Sequence, residues 1–485
     1  MEKQQYAADT DSATESRAAD LTVKPKFIRT ITLFMAVALN FGQIVGAGIF
    51  VSPKGVLMFT GSSGLSLIVW TLCGLVAMAS AVCYAELATM LKESGGEWAY
   101  IRRGIGGGPA FVASLLTVTL GSGAFALVAI ISAEYMVSPF LDDCSKPPYL
   151  VKMLAIALMI LIFYINTSTN LVQKIVKVTL VVKVITMLAI VLGAFYWMAK
   201  EGTSKLTQPF QGTTTNGWNV AVAFYSGLFA YMGWDNVTNL TEEVKNYKRN
   251  IPLSIIISVS MVTALYVLIN ISYYAVIGPD RVLSSNVVVL EWGRALFGEW
   301  GVLLSFFVSL SALGAGFSGL YGMTRQMCCV AREGHTIQLL AMVDVKESIP
   351  VIAMVNQTIL AIIFCLVGEG IVAMLNFLSF VGGFVKVMAM FSLVKLKLQK
   401  HNDNEERFRV PLILPILMTL VYVYLAVVPI INNPNWYHLY GILLAVIFFV
   451  IYIVFIKFNS RVSCFDRVTL FVQRLMGVAV IDKFM

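Results

Sequence analysis

Gly42-Gln43-Ile44-Val45-Gly46-Ala47-Gly48-Ile49-Phe50 interrupts an apolar run over residues 31–59, and its three glycines set how the rest of the chain is read. Glycine lets a backbone unwind and approach a ligand with no Cβ in the way. A second interrupted run stands five apolar segments further on, at 218–241, where Tyr231-Met232-Gly233-Trp234-Asp235-Asn236 breaks the apolar pattern. Glycine-interrupted helices at matching places in two halves of a chain point to a transporter site built on inverted repeats. Close helix packing is the other use of glycine inside a membrane.

The composition agrees with a membrane environment. Of 485 residues, 58% are hydrophobic and 13% charged, against about 45–50% and about 25% in soluble domains. A lipid bilayer is the solvent that accepts this excess, at roughly 20 apolar residues per crossing. Backbone polar groups have no water there, so long apolar runs imply helices; the alternating short segments of a β-barrel do not dominate. Apolar segments fall at 31–59, 63–90, 109–138, 150–168, 175–198, 218–241, 253–277, 299–328, 350–367, 371–394, 410–430 and 437–457. This predicts an all-α polytopic membrane protein with twelve transmembrane helices.

Charge orients it. With the N-terminus inside, inner loops hold Lys92, Arg102, Arg103, Lys174, Lys177, Lys245, Lys248, Arg249, Arg332, Lys346 and the run from Lys395 to Arg409. Outer loops hold fewer: Lys146, Lys200, Lys205, Arg281 and Arg294. The positive-inside rule then places both termini in the cytoplasm. Residues 1–29, polar and with no apolar signal region, read as a disordered cytoplasmic tail, and 458–485 as a cytoplasmic C-terminal tail. The net charge of +8 is spread over these loops and forms no basic patch with interleaved aromatics, so no nucleic-acid partner is expected. Among seven cysteines, Cys73, Cys83, Cys328, Cys329 and Cys365 lie in apolar runs and Cys464 in the basic tail, with no zinc-like spacing. Cys144 lies in a polar loop placed outside, where it reads as an intermolecular link or a free thiol. No cofactor is expected. The absence of HExxH, GxSxG or paired mid-span carboxylates argues against an enzyme.

An amino acid entering a low-dielectric site brings an ammonium and a carboxylate, each needing a partner. A broken helix supplies freed N–H groups and a positive dipole end for the carboxylate, and freed carbonyls for the ammonium. At this point a resemblance emerges. GQIVGAGIFVSPKGVL at 42–57 is similar to the first-helix motif of the light chains of heteromeric amino-acid transporters, in the amino acid–polyamine–organocation superfamily. YAEL at 84–87 with KESGGEW at 92–98, SAEYMVSPFLDDC ending at Cys144, YSGLFAYMGWDN at 225–236, TEEV at 241–244, VAREGH at 330–335 and NFLSF at 376–380 follow in family order.

The resemblance implies a LeuT-type fold, two inverted five-helix repeats (about 31–198 and 218–394) plus two helices (about 410–457). It implies an amino-acid exchanger of the plasma membrane working by alternating access. It assigns the substrate carboxylate to Gly46, Ala47 and Gly48, and the ammonium to the carbonyls of Ile44 and Val45. It makes Phe229 the gating aromatic and Tyr231, Gly233 and Trp234 part of the second unwound stretch; without it, Phe229 and Trp234 read as packing aromatics. Lys183, inside VTLVVKVITML, would hold the place of a sodium ion and make transport sodium-independent, whereas on charge alone it reads as a lysine snorkelling to the inner face. Cys144 would form a disulfide with a single-span glycoprotein heavy chain.

Lys386, in GGFVKVMAM, has no family counterpart and reads as snorkelling, or else as a lure for anionic substrates. Glu86, Glu242 and Glu243 read as caps and ion-pair partners of loop lysines and arginines at inner helix ends, with proton coupling as the alternative reading. Gln43, Gly121-Ser122-Gly123, Phe317 and Val381-Gly382-Gly383 depart from common family residues and leave neutral and anionic substrates open. A transporter-like receptor or scaffold and a stand-alone uniporter are the competing readings.

Overall fold

The computed structural model describes residues 29–91, 96–141, 147–285, 287–332, 334, 336, 338–344, 349–368, 370–399, 408–432, 436–457 and 478–480. The tail 1–28, Cys144, Cys464 and most of 458–485 lie outside the described residues.

Every apolar segment named above carries a helix, but the helices are unequal. Seven are long and apolar enough to cross a membrane by themselves, and the pair α1 (Leu33–Ile44) and α2 (Gly48–Thr60), bent by 46° at its break, makes an eighth. The seven spans include α3 (Ser63–Leu91), α5 (Gly107–Val137), α6 (Pro148–Asn166), α7 (Thr169–Glu201) and α9 (Tyr247–Val276). They also include α12 (Gly301–Arg332), continuous with the short helices before it, and most of α14 (Ile371–Leu398). Between these lie α4 (Glu97–Gly104), α8 (Gly217–Ala230), α10 (Pro279–Ser284), α11 (Val288–Phe297) and α13 (Val351–Val367). The chain closes with α15 (Ile413–Asn432) and α16 (Trp436–Ile451). The molecule is a multi-pass helical membrane protein.

The bilayer's reversed polarity is written on α7. Val178, Val181, Ile185, Leu188 and Leu192, spaced three or four residues apart, are exposed on one face. Val176, Thr179, Lys183, Thr186 and Ile190 are buried on the other. Residues at this spacing share a helix face, so α7 gives its large apolar side chains to lipid and turns its hydroxyls and its ammonium inward, as membrane helices place costly polar groups.

Helix ends are tied by charge. Arg325 donates to Glu243 at 2.6 Å, Arg332 to Glu242 at 3.1 Å and Lys397 to Glu86 at 2.6 Å. These pairs bear out the ion-pairing expectation for the three glutamates, with helix residues rather than loop residues as partners. Ile31 donates its N–H to the Glu243 carbonyl at 3.0 Å and accepts from Lys245 at 2.9 Å, which straps the entry of α1 to the segment after the second break. One feature was not foreseen: Val478–Val480 pairs antiparallel with Met342–Asp344, so part of the C-terminal segment is held in a two-stranded sheet.

Candidate substrate site at two helix breaks

The first break is Val45 to Ala47, between α1 and α2. The second runs from Tyr231 to Asp235, between α8 and the 3-10 turn Asn236–Leu240. Gly233 turns there at φ +102°, where a Cβ would lie 2.3 Å from Gln43 Cγ. Only glycine satisfies both the left-handed backbone and that approach. The two breaks therefore lie against one another. Asn40 accepts from the Val237 N–H at 3.1 Å, and the buried Tyr266 hydroxyl reaches the Ile44 carbonyl at 2.9 Å and the Ala230 carbonyl at 3.0 Å. One phenol of α9 thus fastens the end of α1 to the end of α8. Behind it, the rings of Trp70, Tyr231 and Tyr266 pack with centroids 5.0–6.1 Å apart.

A cavity of about 130 Å³ opens beside the breaks. Ile44, Gly46, Ala47, Gly48, Phe229 and Gly233 line it, so six residues singled out from the sequence are brought together. Tyr231 and Trp234 instead line an adjoining smaller cavity, which also touches Phe229 and Lys386. Val45 is fully buried.

The hydrogen bonds redistribute the expected roles. The Ile44 carbonyl, expected to meet an ammonium, already accepts from Tyr266 and from the Gly46 N–H at 2.8 Å. The Gly46 N–H is thereby committed as well. Ala47 and Gly48 head α2, where the first N–H groups of a helix have no intrahelical acceptor. The Gln43 amide oxygen is buried and has no hydrogen-bond partner among the described residues, and its side chain also lines the cavity.

Neither intramembrane lysine snorkels. Lys183 is fully buried, donates to the Gly42 carbonyl just before the first break, and packs with Thr179 against Gly314. Lys386 sits in the cavity wall, with Nζ 3.6 Å from Glu97 and 3.7 Å from Asp235 and 4.7 Å above the Trp234 ring. The snorkelling reading of Lys386 is corrected because two carboxylates within the protein already compensate its charge. Glu97 and Asp235 were missed. The available signal was Lys386 itself, since an ionisable residue in a span implies a partner.

The model of the family described as amino acid permease matches residues 31–456. This chain belongs to the amino acid permease family. The chain is 32% identical over 459 residues to a protein named b(0,+)-type amino acid transporter 1 of Mus musculus, covering 94% of each. It is 32% identical to a Homo sapiens cystine/glutamate transporter (85% of this chain, 82% of that one). It is 30% identical to large neutral amino acids transporter small subunit 2 of Mus musculus (89% and 82%). As a permease the chain is a transporter and not an enzyme.

Proposed function

We propose that the protein is a sodium-independent amino-acid exchanger, the light subunit of a disulfide-linked heterodimer, working by alternating access in the plasma membrane with both termini cytoplasmic. The carrying observation is the pair of breaks, joined through Tyr266 and bordering one cavity with glycine backbone. On this reading the substrate carboxylate meets the N–H groups of Ala47 and Gly48 at the positive end of α2. The ammonium meets the Val45 carbonyl and the Gln43 amide oxygen, the latter taking the role that Ile44 cannot fill while Tyr266 holds its carbonyl. Phe229 covers the site, and Tyr231 and Trp234 back it. The twelve apolar segments count as twelve spans in a LeuT-type arrangement, with α13, α15 and α16 crossing beside longer neighbours and α8 crossing together with the turn after it.

Lys183 stands for sodium: its ammonium holds the Gly42 carbonyl where a cation would, so no free cation is required. The relatives' names, which speak of amino-acid transport and of a small subunit, support the substrate class and the heterodimer. The partner is a single-span glycoprotein heavy chain bonded through Cys144.

The test is uptake of labelled amino acids by liposomes carrying the purified protein, with and without internal amino acid and with choline in place of sodium. Uptake that needs internal amino acid and persists in choline is expected. Strict sodium dependence overturns the Lys183 assignment, and equal efflux into empty buffer makes this a uniporter. Lys183→Ala is expected to impair uptake while the protein still reaches the membrane.

A further inference from the structure

The cavity wall carries a charged cluster that the substrate contacts above do not use. Lys386 of α14 stands between Glu97 of α4 and Asp235 of the second break, 3.6 and 3.7 Å from their carboxylates. Glu97 is held rigidly, accepting from the Tyr84 hydroxyl of α3 at 2.7 Å and from Thr117 of α5 at 3.1 Å. The Lys386 ammonium lies over the rings of Trp234 and Tyr84 at 4.7 and 5.5 Å. Among the described residues, the other titratable groups facing the cluster are phenols: Tyr84 of α3, Tyr100 of α4 and Tyr422 of α15. Phenols are neutral at physiological pH. Two carboxylates against one ammonium leave one negative charge in a wall of aromatic rings, where an unbalanced charge is costly.

That imbalance calls for one positive charge. The Lys386 ammonium, 3.6 and 3.7 Å from the two carboxylates, already takes the place an organic cation bridging them would occupy. A proton needs no room, and it has a route: Glu97, Asp235 and Lys386 all line the cavity, with the Asp235 side chain 26% exposed. Asp235 lies two residues after Gly233, so its attachment to Lys386 fastens the second break to α14.

We propose that Glu97, Asp235 and Lys386 form a proton site of the transport cycle. One proton enters from the cavity onto the carboxylates, weakens the hold of Asp235 on Lys386, and frees the second break to move. This rests on the transport reading above. Taken with it, the site makes uptake of neutral amino acids faster as pH falls.

The experiment uses the full chain with its co-purified partner in liposomes, and labelled leucine, phenylalanine, glutamate and arginine as probes. Internal and external pH are kept equal and varied from about 8 to about 5.5, a range that spans perturbed carboxylates but not phenols. Uptake of the best neutral probe is expected to rise at least about threefold toward acid. Glu97→Gln and Asp235→Asn are each expected to flatten the profile, since either leaves one carboxylate against one ammonium. Lys386→Met is expected to move the profile toward higher pH, because two unscreened carboxylates hold a shared proton more tightly. A merely structural triad would lower uptake without moving the profile.

Infrared difference spectra of the purified protein over the same pH range give a readout independent of transport. A protonated-carboxyl band is expected to grow toward acid and to be reduced in both carboxamide variants. A flat wild-type profile with normal uptake, or a profile and a band that survive both variants, overturns the proposal. So does arginine uptake that needs Asp235 while neutral uptake ignores pH, which would make this a subsite for an organic cation. Failure of every probe at every pH refutes the transport reading, and the infrared band still decides the proton site.

Discussion

Replacing Gly48 with alanine adds one methyl at the contact between the two breaks. An ideal Cβ there would lie 2.5 Å from the Ala230 Cα and 3.1 Å from its Cβ. Carbon atoms pack at about 3.5–4.0 Å, so α2 and the end of α8 must separate by roughly 1–1.5 Å. The neighbour cannot step aside as a flexible side chain would, because the nearest atom is backbone. The Ala230 carbonyl is also fastened to Tyr266 at 3.0 Å, and the same hydroxyl holds Ile44 in α1. Overpacking of this kind costs about 1–3 kcal/mol, which corresponds to a loss of about 5- to 140-fold at 1.4 kcal/mol per tenfold. The expected result is uptake reduced by a factor in that range, with delivery to the membrane retained. Gly217→Ala, at the start of α8, is the control: its Cβ would meet nothing within 4 Å, and uptake is expected to stay at the wild-type level. Uptake by Gly48→Ala at the wild-type rate would refute the idea that contact between the breaks sets the geometry of the site.

Other outcomes follow from the same contacts. Tyr266→Phe keeps the ring but removes the hydroxyl shared by the Ile44 and Ala230 carbonyls; an unmet buried acceptor costs about 1–3 kcal/mol, so a lower melting temperature in detergent and slower uptake are expected, and unchanged values in both would sink the coupling of the breaks through this phenol. Arg325→Met leaves Glu243 buried without its 2.6 Å partner and is expected to destabilise the protein by about 3–5 kcal/mol, with Arg325→Met/Glu243→Gln recovering much of that in a thermal assay; a double variant no better than the single one contradicts this. Cys144→Ser is expected to abolish a heavy band on non-reducing electrophoresis of native membranes, and wild type running as the 53.3 kDa chain without reductant rules the covalent heterodimer out.

Much of the design is legible in one dimension because the membrane imposes local rules. Apolar runs of crossing length must become helices, so the helical, multi-pass character follows from hydropathy alone. Gly46 and Gly233 lie where the backbone unwinds, and Gly42 and Gly48 flank the first break; losing the Cβ is a property of the residue itself. The tertiary structure decided what those unwound groups can do. That the Ile44 carbonyl is already held, and by a phenol from α9, depends on a contact between distant segments that no periodicity encodes. Lys183 and Lys386 look alike in sequence, each a lone cation in an apolar run. One is buried against a backbone carbonyl and the other lies between two carboxylates in the cavity wall. Helix periodicity can say which face a charge occupies, but the groups opposite it come from other helices, and only packing brings Glu97 of α4 and Asp235 of the second break to the same ammonium.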